Sequence, residues 1–138
     1  MRSNQKGQIL AFFALVLPMV LLPVAAYAVD ATIVSGREAG LQAATAQAAE
    51  AAAQKVNIAA IRSSGALTLD TTAGQVVTYQ MLVEEEPSAS VDSYTVAGDQ
   101  VTVVTSETVT LPFGVFTRSV TLQARATAHL VAGYDSPA

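Results

Sequence analysis

The chain has a single histidine, His129, and no cysteine. The side chains that most often carry acid–base, nucleophilic or zinc chemistry therefore reduce to one imidazole without a partner of its kind. His129 falls in "SVTLQARATAHLVAG", whose alternation reads as a strand, and there a solvated strand histidine is expected rather than a catalytic one. The other chemically suggestive group is the acidic run Glu84, Glu85, Glu86 ahead of Pro87. Successive carboxylates on an extended chain point to opposite faces, so they do not converge on a cation and read as solvated edge charge. No glycine-rich phosphate loop and no metal-ligand spacing occurs. The expectation is a non-enzyme with no catalytic, cofactor-binding or metal residues, no cofactor and no small-molecule substrate. The plainest chemical signal concerns what other enzymes could do to the chain. The "AYA" of residues 26–28 fits the small-x-small pattern of signal peptidase, which would cut between Ala28 and Val29.

That tripeptide closes an apolar run, residues 8–29, without a charged side chain. As a helix at roughly 1.5 Å per residue it covers about the 30 Å hydrocarbon thickness of a bilayer. It is longer than the roughly 7–15 residues of a secretory signal core, which favours an uncleaved transmembrane anchor over cleavage after Ala28. The whole chain points the same way: 138 residues are 51% hydrophobic and only 13% charged, with mean hydropathy +0.42, which sets it apart from ordinary soluble domains. Arg2 and Lys6 precede the run, whereas Asp30 follows it and the next base is Arg37. The positive-inside bias then predicts a cytoplasmic N-terminus and an extracytoplasmic remainder. Asp30 is expected to mark where the helix meets water, and Pro18 and Pro23 to kink or loosen the membrane helix. With a net charge of −4 and scattered Lys and Arg, no basic face is available for nucleic acid.

Beyond Asp30 the sequence stays helical in character, rich in alanine and free of proline until Pro87. Val34, Leu41, Ala48, Ala52, Val56 and Ala59 recur on one helical face. The first five are the candidate packing residues, a ridge of mostly small side chains that a partner can approach closely. Gly36 and Gly40 fit either a small-residue packing motif or local flexibility. Arg62, Ser63, Ser64 and Gly65 supply a cationic last turn and a glycine stop, so one helix, bent or interrupted, is predicted from about residue 8 to 63. After Gly65 the period changes. "QVVTYQMLV", residues 75–83, reads as a strand ended by the glutamates and Pro87. "SVDSYTVAGDQVTVVTSETVTL" reads as two strands around Ala97-Gly98-Asp99-Gln100. A further strand covers residues 119–133, with Val120, Leu122, Ala124, Ala126, Ala128 and Leu130 on one face. In the intervening "PFGVFTR", Phe113, Val115 and Phe116 are expected in the core. The predicted architecture is α+β: a long N-terminal helix, transmembrane and then alanine-rich, packed on a small antiparallel sheet of three or four strands.

The order of these motifs resembles the TadE and TadG-like proteins of the Flp (tight adherence) pilus system. The resemblance rests on a short basic leader, then "GQILAFFALVLPMVLLPVAAYAVD", "GREAGLQAATAQAAEAAA" and the closing "GDQVTVVTSETVTLPFGVFTRSVTLQARATAHLVAG". It implies a pilin-like fold and, as partners, membrane lipid and other pilin-like or pilus-assembly proteins. In TadE-like members a prepilin peptidase cuts after the leader glycine, here between Gly7 and Gln8, a cut that the departure at Phe12 makes less expected. TadE-like pseudopilins carry an acidic residue five positions beyond the leader glycine, where this chain has Phe12, which places it nearer the TadG-like side. The expected organisation is a basic leader (residues 1–7), a transmembrane helix (8–30), an extracytoplasmic alanine-rich helix (31–64), an antiparallel β domain (65–133) and a tail (134–138). The expected role is a single-pass, membrane-anchored pilin-like component or assembly factor. The alternatives are a secreted or surface-anchored binding module released after Ala28 and an envelope sensor domain.

Overall fold

The computed structural model describes residues 5–131; Arg2, Gly133 and the 134–138 tail lie outside them. The fold is α+β, with a long N-terminal helix packed on a three-stranded antiparallel sheet. The first helix, α1 (Gln5–Ala53), runs through Pro18 and Pro23. Each proline lacks the N–H that would reach back four residues, so the carbonyls of Ala14 and Met19 lose their helical donors. The described residues gather into two compact units. One is α1 up to Ser35 with Thr110–Val120; the other is Gly36–Val109 with the chain from Thr121 onward.

In the second unit the face of α1 facing the sheet is built from Leu41, Ala44, Thr45, Ala48, Ala49, Ala52 and Ala53, all buried. Steps of three and one keep these residues on a single stripe of a 3.6-residue helix. Each buried methylene is worth only about 0.8 kcal/mol, so alanines gain little by size and contribute through close approach. Ala49, Ala52 and Ala53 pack with Leu69, Val101, Val103 and Ala128, while Ala44 and Ala48 pack with Leu82. At Thr45 the hydroxyl donates to the Leu41 carbonyl at 2.6 Å and lies 2.6 Å from the buried Thr105 hydroxyl. A polar pair inside an apolar seam is thus satisfied.

The single long helix predicted to residue 63 is interrupted. After Ala53 the chain turns through 54–57, and α2 (Ile58–Ser64) follows. Val56 forms an isolated antiparallel bridge with Leu69, flanked by Asn57 N–H to the Thr68 carbonyl and Asp70 N–H to the Lys55 carbonyl, both 2.8 Å. Asn57 caps α2 by accepting from the Ala60 amide, and Gly65 ends it at φ 70°. The glycine stop is where the sequence places it, at the end of a separate short helix.

A larger correction concerns residues 75–83, which are not a strand. They belong to α3 (Thr71–Glu85), capped by the Asp70 carboxylate accepting from the Ala73 amide at 2.9 Å. Val76, Val77, Thr78 and Tyr79 have strand propensity, but Gly74, Thr78 and Leu82 form a buried stripe at a spacing of four, and tertiary packing overrides propensity. The 65–133 segment is accordingly helical before it is β. Glu84 and Glu85 close α3 exposed, while Glu86 is its C-cap ahead of Pro87.

The sheet has order β1–β2–β3, with β1 (Ser90–Ala97), β2 (Gln100–Thr110) and β3 (Ser119–His129). β1 and β2 form a hairpin across Gly98-Asp99, with Gly98 at φ 65° as a tight hairpin turn requires. A bulge at Asp92 shifts the register and leaves its carboxylate accepting from Ser106 at 2.7 Å and from Gln123 at 3.3 Å. Thr102–Thr127 and Thr108–Thr121 hydroxyl pairs mark the β2–β3 register on the solvent side. Inward positions alternate as expected for a half-buried sheet: Val101, Val103, Thr105, Glu107 and Val109 on β2; Leu122, Ala124 and Ala128 on β3.

Candidate functional site

Residues 8–29 of α1 present their side chains outward. Leu10, Leu15, Met19 and Leu22 are each more than two-thirds exposed, and none of the most apolar eighteen-residue window is buried. A continuous apolar surface of this length is far larger than a water-soluble helix leaves uncovered, and it is long enough to cross a membrane. Gly7 and Gln8 are exposed at its start, and among the described residues nothing lies within 4 Å of where a Cβ on Gly7 would stand. Ala28 and Val29 lie in mid-helix, where the Ala28 carbonyl accepts the Thr32 hydroxyl at 2.9 Å.

Asp30 does more than mark a water boundary. It is 4% exposed, and its two carboxylate oxygens accept the backbone N–H groups of Phe113 at 3.2 Å and Gly114 at 2.9 Å. Gly114 sits at φ 55°, and the loop is closed at its base by the Leu111 N–H bonded to the Arg118 carbonyl at 2.9 Å. A tight turn that aims two successive amides at one carboxylate satisfies a buried anion with charge-assisted hydrogen bonds. The same clamp overturns the core placement of the loop aromatics. Phe113 is 60% and Phe116 83% exposed, with Val115 partly exposed. The loop is held to the helix by the Phe113 and Gly114 amides and by one side chain. Phe116 meets Tyr27 edge-to-face, with centroids 5.5 Å apart and planes at 82°.

Among the five packing residues, the second unit buries Leu41, Ala48 and Ala52 in its helix–sheet seam. Val34 is half-buried on α1, and Val56, off the helix, is half-buried in its bridge to Leu69. Ala59 is exposed on α2. Gly40 serves close approach, since a Cβ there would lie 2.5 Å from the Glu86 carboxylate, whereas Gly36 faces open space. Glu86 is not solvated edge charge. Its carboxylate lies 3.5 Å from Arg37, which also stands 3.7 Å from the buried Glu107. Among the described residues, one oxygen of Glu107 has no hydrogen-bond partner. Arg37 is half-exposed, so the two pairs are weaker than their distances suggest.

His129 is exposed on β3, its ring 3.2 Å from the Gln100 amide and 4.0 Å from the Asp99 carboxylate. It lines an open cleft of about 690 Å³ with Glu50, Gln54 and Val56. Among the described residues no cluster of three or more His, Cys, Asp or Glu is placed to hold a metal. Tyr94 has its pKa raised, first by burial and second by the Asp70 carboxylate. The ring packs at Gly74, where a Cβ would run into its hydroxyl.

Sequence reasoning missed the Asp30 clamp and the Arg37–Glu86–Glu107 group. Glu107 left a signal: it shares the inward parity of Val101, Val103, Thr105 and Val109, and a carboxylate at such a position calls for a cation. Compared with known protein families, characterised proteins and solved structures, the chain matches none.

Proposed function

We propose that the chain is a non-enzymatic, single-pass membrane component of a Flp-type (tight adherence) pilus or related secretion machine, acting as a pilin-like subunit or assembly factor. The observation that carries this reading is α1: an uncharged, outward-facing apolar helix that continues into the helix packed on the antiparallel sheet. That arrangement suits a subunit held in the membrane by one half of a helix and folded by the other. The motif order that resembles TadE and TadG-like proteins supplies the system, with Phe12 favouring the TadG-like side. The N-terminus is cytoplasmic and the folded part extracytoplasmic, because Arg2 and Lys6 precede the apolar run and Asp30 follows it. Membrane lipid and other pilin-like helices are the partners. Release after Ala28 is disfavoured by Asp30, which would become the second residue of the product and lose the helical turn that holds its carboxylate against the loop.

N-terminal peptide mapping of membrane-fraction protein, with Gly7→Leu and Ala28→Leu variants, tests the anchor. The expected product keeps residues 8–29 in the membrane, whether or not the leader is cut after Gly7. A soluble product starting at Val29 and abolished by Ala28→Leu overturns the anchor and establishes a secreted module. Crosslinking of intact membranes is expected to recover other short single-pass pilin-like proteins; recovery of the uncrosslinked chain alone overturns the assembly role.

A further inference from the structure

The loop between β2 and β3 exposes apolar groups that the fold does not use. Phe113, Val115 and Phe116 lie within residues 112–118, and all three are exposed together with Tyr27. Exposed aromatics on a mobile hairpin would be unremarkable, but this loop is fixed. Both Asp30 oxygens hold its tip, the Leu111–Arg118 bond closes its base, and Phe116 packs edge-on to Tyr27. The point of fixation is the first charged residue after the uncharged run of residues 8–29. A short polar bond between backbone and carboxylate thus sets the level of three apolar side chains along the helix axis, at the turn where the apolar helix surface ends.

We propose that residues 112–118 form a second membrane contact, placing Phe113, Val115 and Phe116 with Tyr27 in the interfacial layer of the bilayer that α1 crosses. The proposal rests on the anchor reading above. Lipid is the occupant because the loop continues a surface already exposed over the whole apolar window of α1, and because an amphipathic ring such as Tyr27, against which Phe116 packs, settles at the boundary between hydrocarbon and headgroups. Tyr27 supplies a hydroxyl at that level. The exposed Arg118 at the base of the loop supplies a cation for lipid phosphate. Burying Asp30 under two amides also withdraws a carboxylate that would otherwise meet the headgroup layer bare. The loop therefore covers a charge and adds apolar contact with the same few residues.

The chain has no tryptophan, so single-tryptophan variants of the full-length protein report depth directly. Met19→Trp, Tyr27→Trp and Ser35→Trp make a ruler along α1, eight residues apart at roughly 1.5 Å each, or about 12 Å per interval. Phe116→Trp is then read against it in phosphatidylcholine–phosphatidylglycerol vesicles, using chain-brominated lipids as the membrane quencher and acrylamide as the aqueous one. The expected result is that Phe116→Trp matches Tyr27→Trp, with blue-shifted emission, quenching by lipid brominated near the headgroup, and acrylamide quenching several-fold below Ser35→Trp. If Met19→Trp is quenched by deeply brominated lipid while Phe116→Trp behaves like Ser35→Trp, the helix spans and the loop proposal is overturned alone. If Phe116→Trp is shielded from both quenchers, the loop is covered by protein, such as a second copy of the chain, and the lipid assignment is overturned. If Met19→Trp itself is open to acrylamide, the anchor reading fails, and the loop proposal fails with it.

Discussion

Replacing Asp30 by alanine isolates the clamp from every other feature of the first unit. The carboxylate accepts two N–H groups, at 3.2 and 2.9 Å, and is 4% exposed. A hydrogen bond to a charged group contributes about 1.5–3 kcal/mol. The loop remains open to water on its outer side, so the lower end applies, and two bonds give ~3 kcal/mol. The helix itself does not suffer, because alanine is the better helix former. Alanine should therefore free the loop without unwinding α1. At about 1.4 kcal/mol per tenfold, that loss corresponds to roughly a hundredfold faster amide exchange at Phe113 and Gly114 when exchange is limited by local opening. Asp30→Asn keeps one acceptor oxygen and turns an amide N–H₂ toward the second donor, so it should retain about half the protection on the same scale. Hydrogen exchange in detergent micelles, resolved at those two amides and referenced to Val103 in β2, reads the effect. Unchanged protection at Phe113 and Gly114 in Asp30→Ala, with Val103 also unchanged, refutes the clamp. Equal loss at all three amides would instead mean that Asp30 supports the whole fold.

Two further outcomes follow from α3 and β1. Gly74→Ala should lower the melting temperature although alanine gains about 1 kcal/mol of helix propensity, because its Cβ meets the Tyr94 hydroxyl and lies 3.3 Å from the Ala52 carbonyl; a higher melting temperature refutes that packing. Tyr94 has its pKa raised in the folded state, so its contribution is fully present below the unfolded value of about 10 and is lost as pH climbs through the folded value. Denaturant titrations should show stability falling across that alkaline window, and Tyr94→Phe should flatten the fall; an identical slope in the variant refutes the assignment.

What the sequence makes legible here is local and periodic. Alternation along β2 and β3 marks their inward faces residue by residue, Gly98 marks the hairpin, and the alanine stripe of α1 marks the helix side that meets the sheet. Residues 75–83 mislead because valine, threonine and tyrosine carry a β signal within any short window. The deciding facts are the Asp70 cap and a partner for the Gly74–Thr78–Leu82 stripe. The first is legible only if the helix is assumed to start at Thr71, and the second only once α1 and β1 are in place. The core assignment of Phe113 and Phe116 fails for a different reason. Apolar side chains in a loop are ambiguous between core and surface, and their placement is fixed by backbone amides, which every sequence possesses and none advertises. The clamp joins positions more than eighty residues apart, beyond the reach of any pattern read along the chain.

The same distant pairings bear on how the proposed anchor is oriented. Read linearly, Lys6 before the apolar run and Arg37 after it are basic residues on opposite flanks, and the bias between them rests on distance from the run. Folding adds local pairings to that comparison. Arg37 stands between Glu86 and Glu107, so its charge is offset by two carboxylates, and Asp30 spends both oxygens on loop amides. Asp30 is thereby withdrawn from the surface, whereas Arg37 stays half-exposed. Arg118, exposed in the loop that Asp30 clamps, is a further base at this end of the run that a linear reading leaves out. For a helix that crosses as proposed, the orientation bias rests on Arg2 and Lys6 lying closer to the run than Arg37 does, because the rule weighs basic residues and gives carboxylates little part.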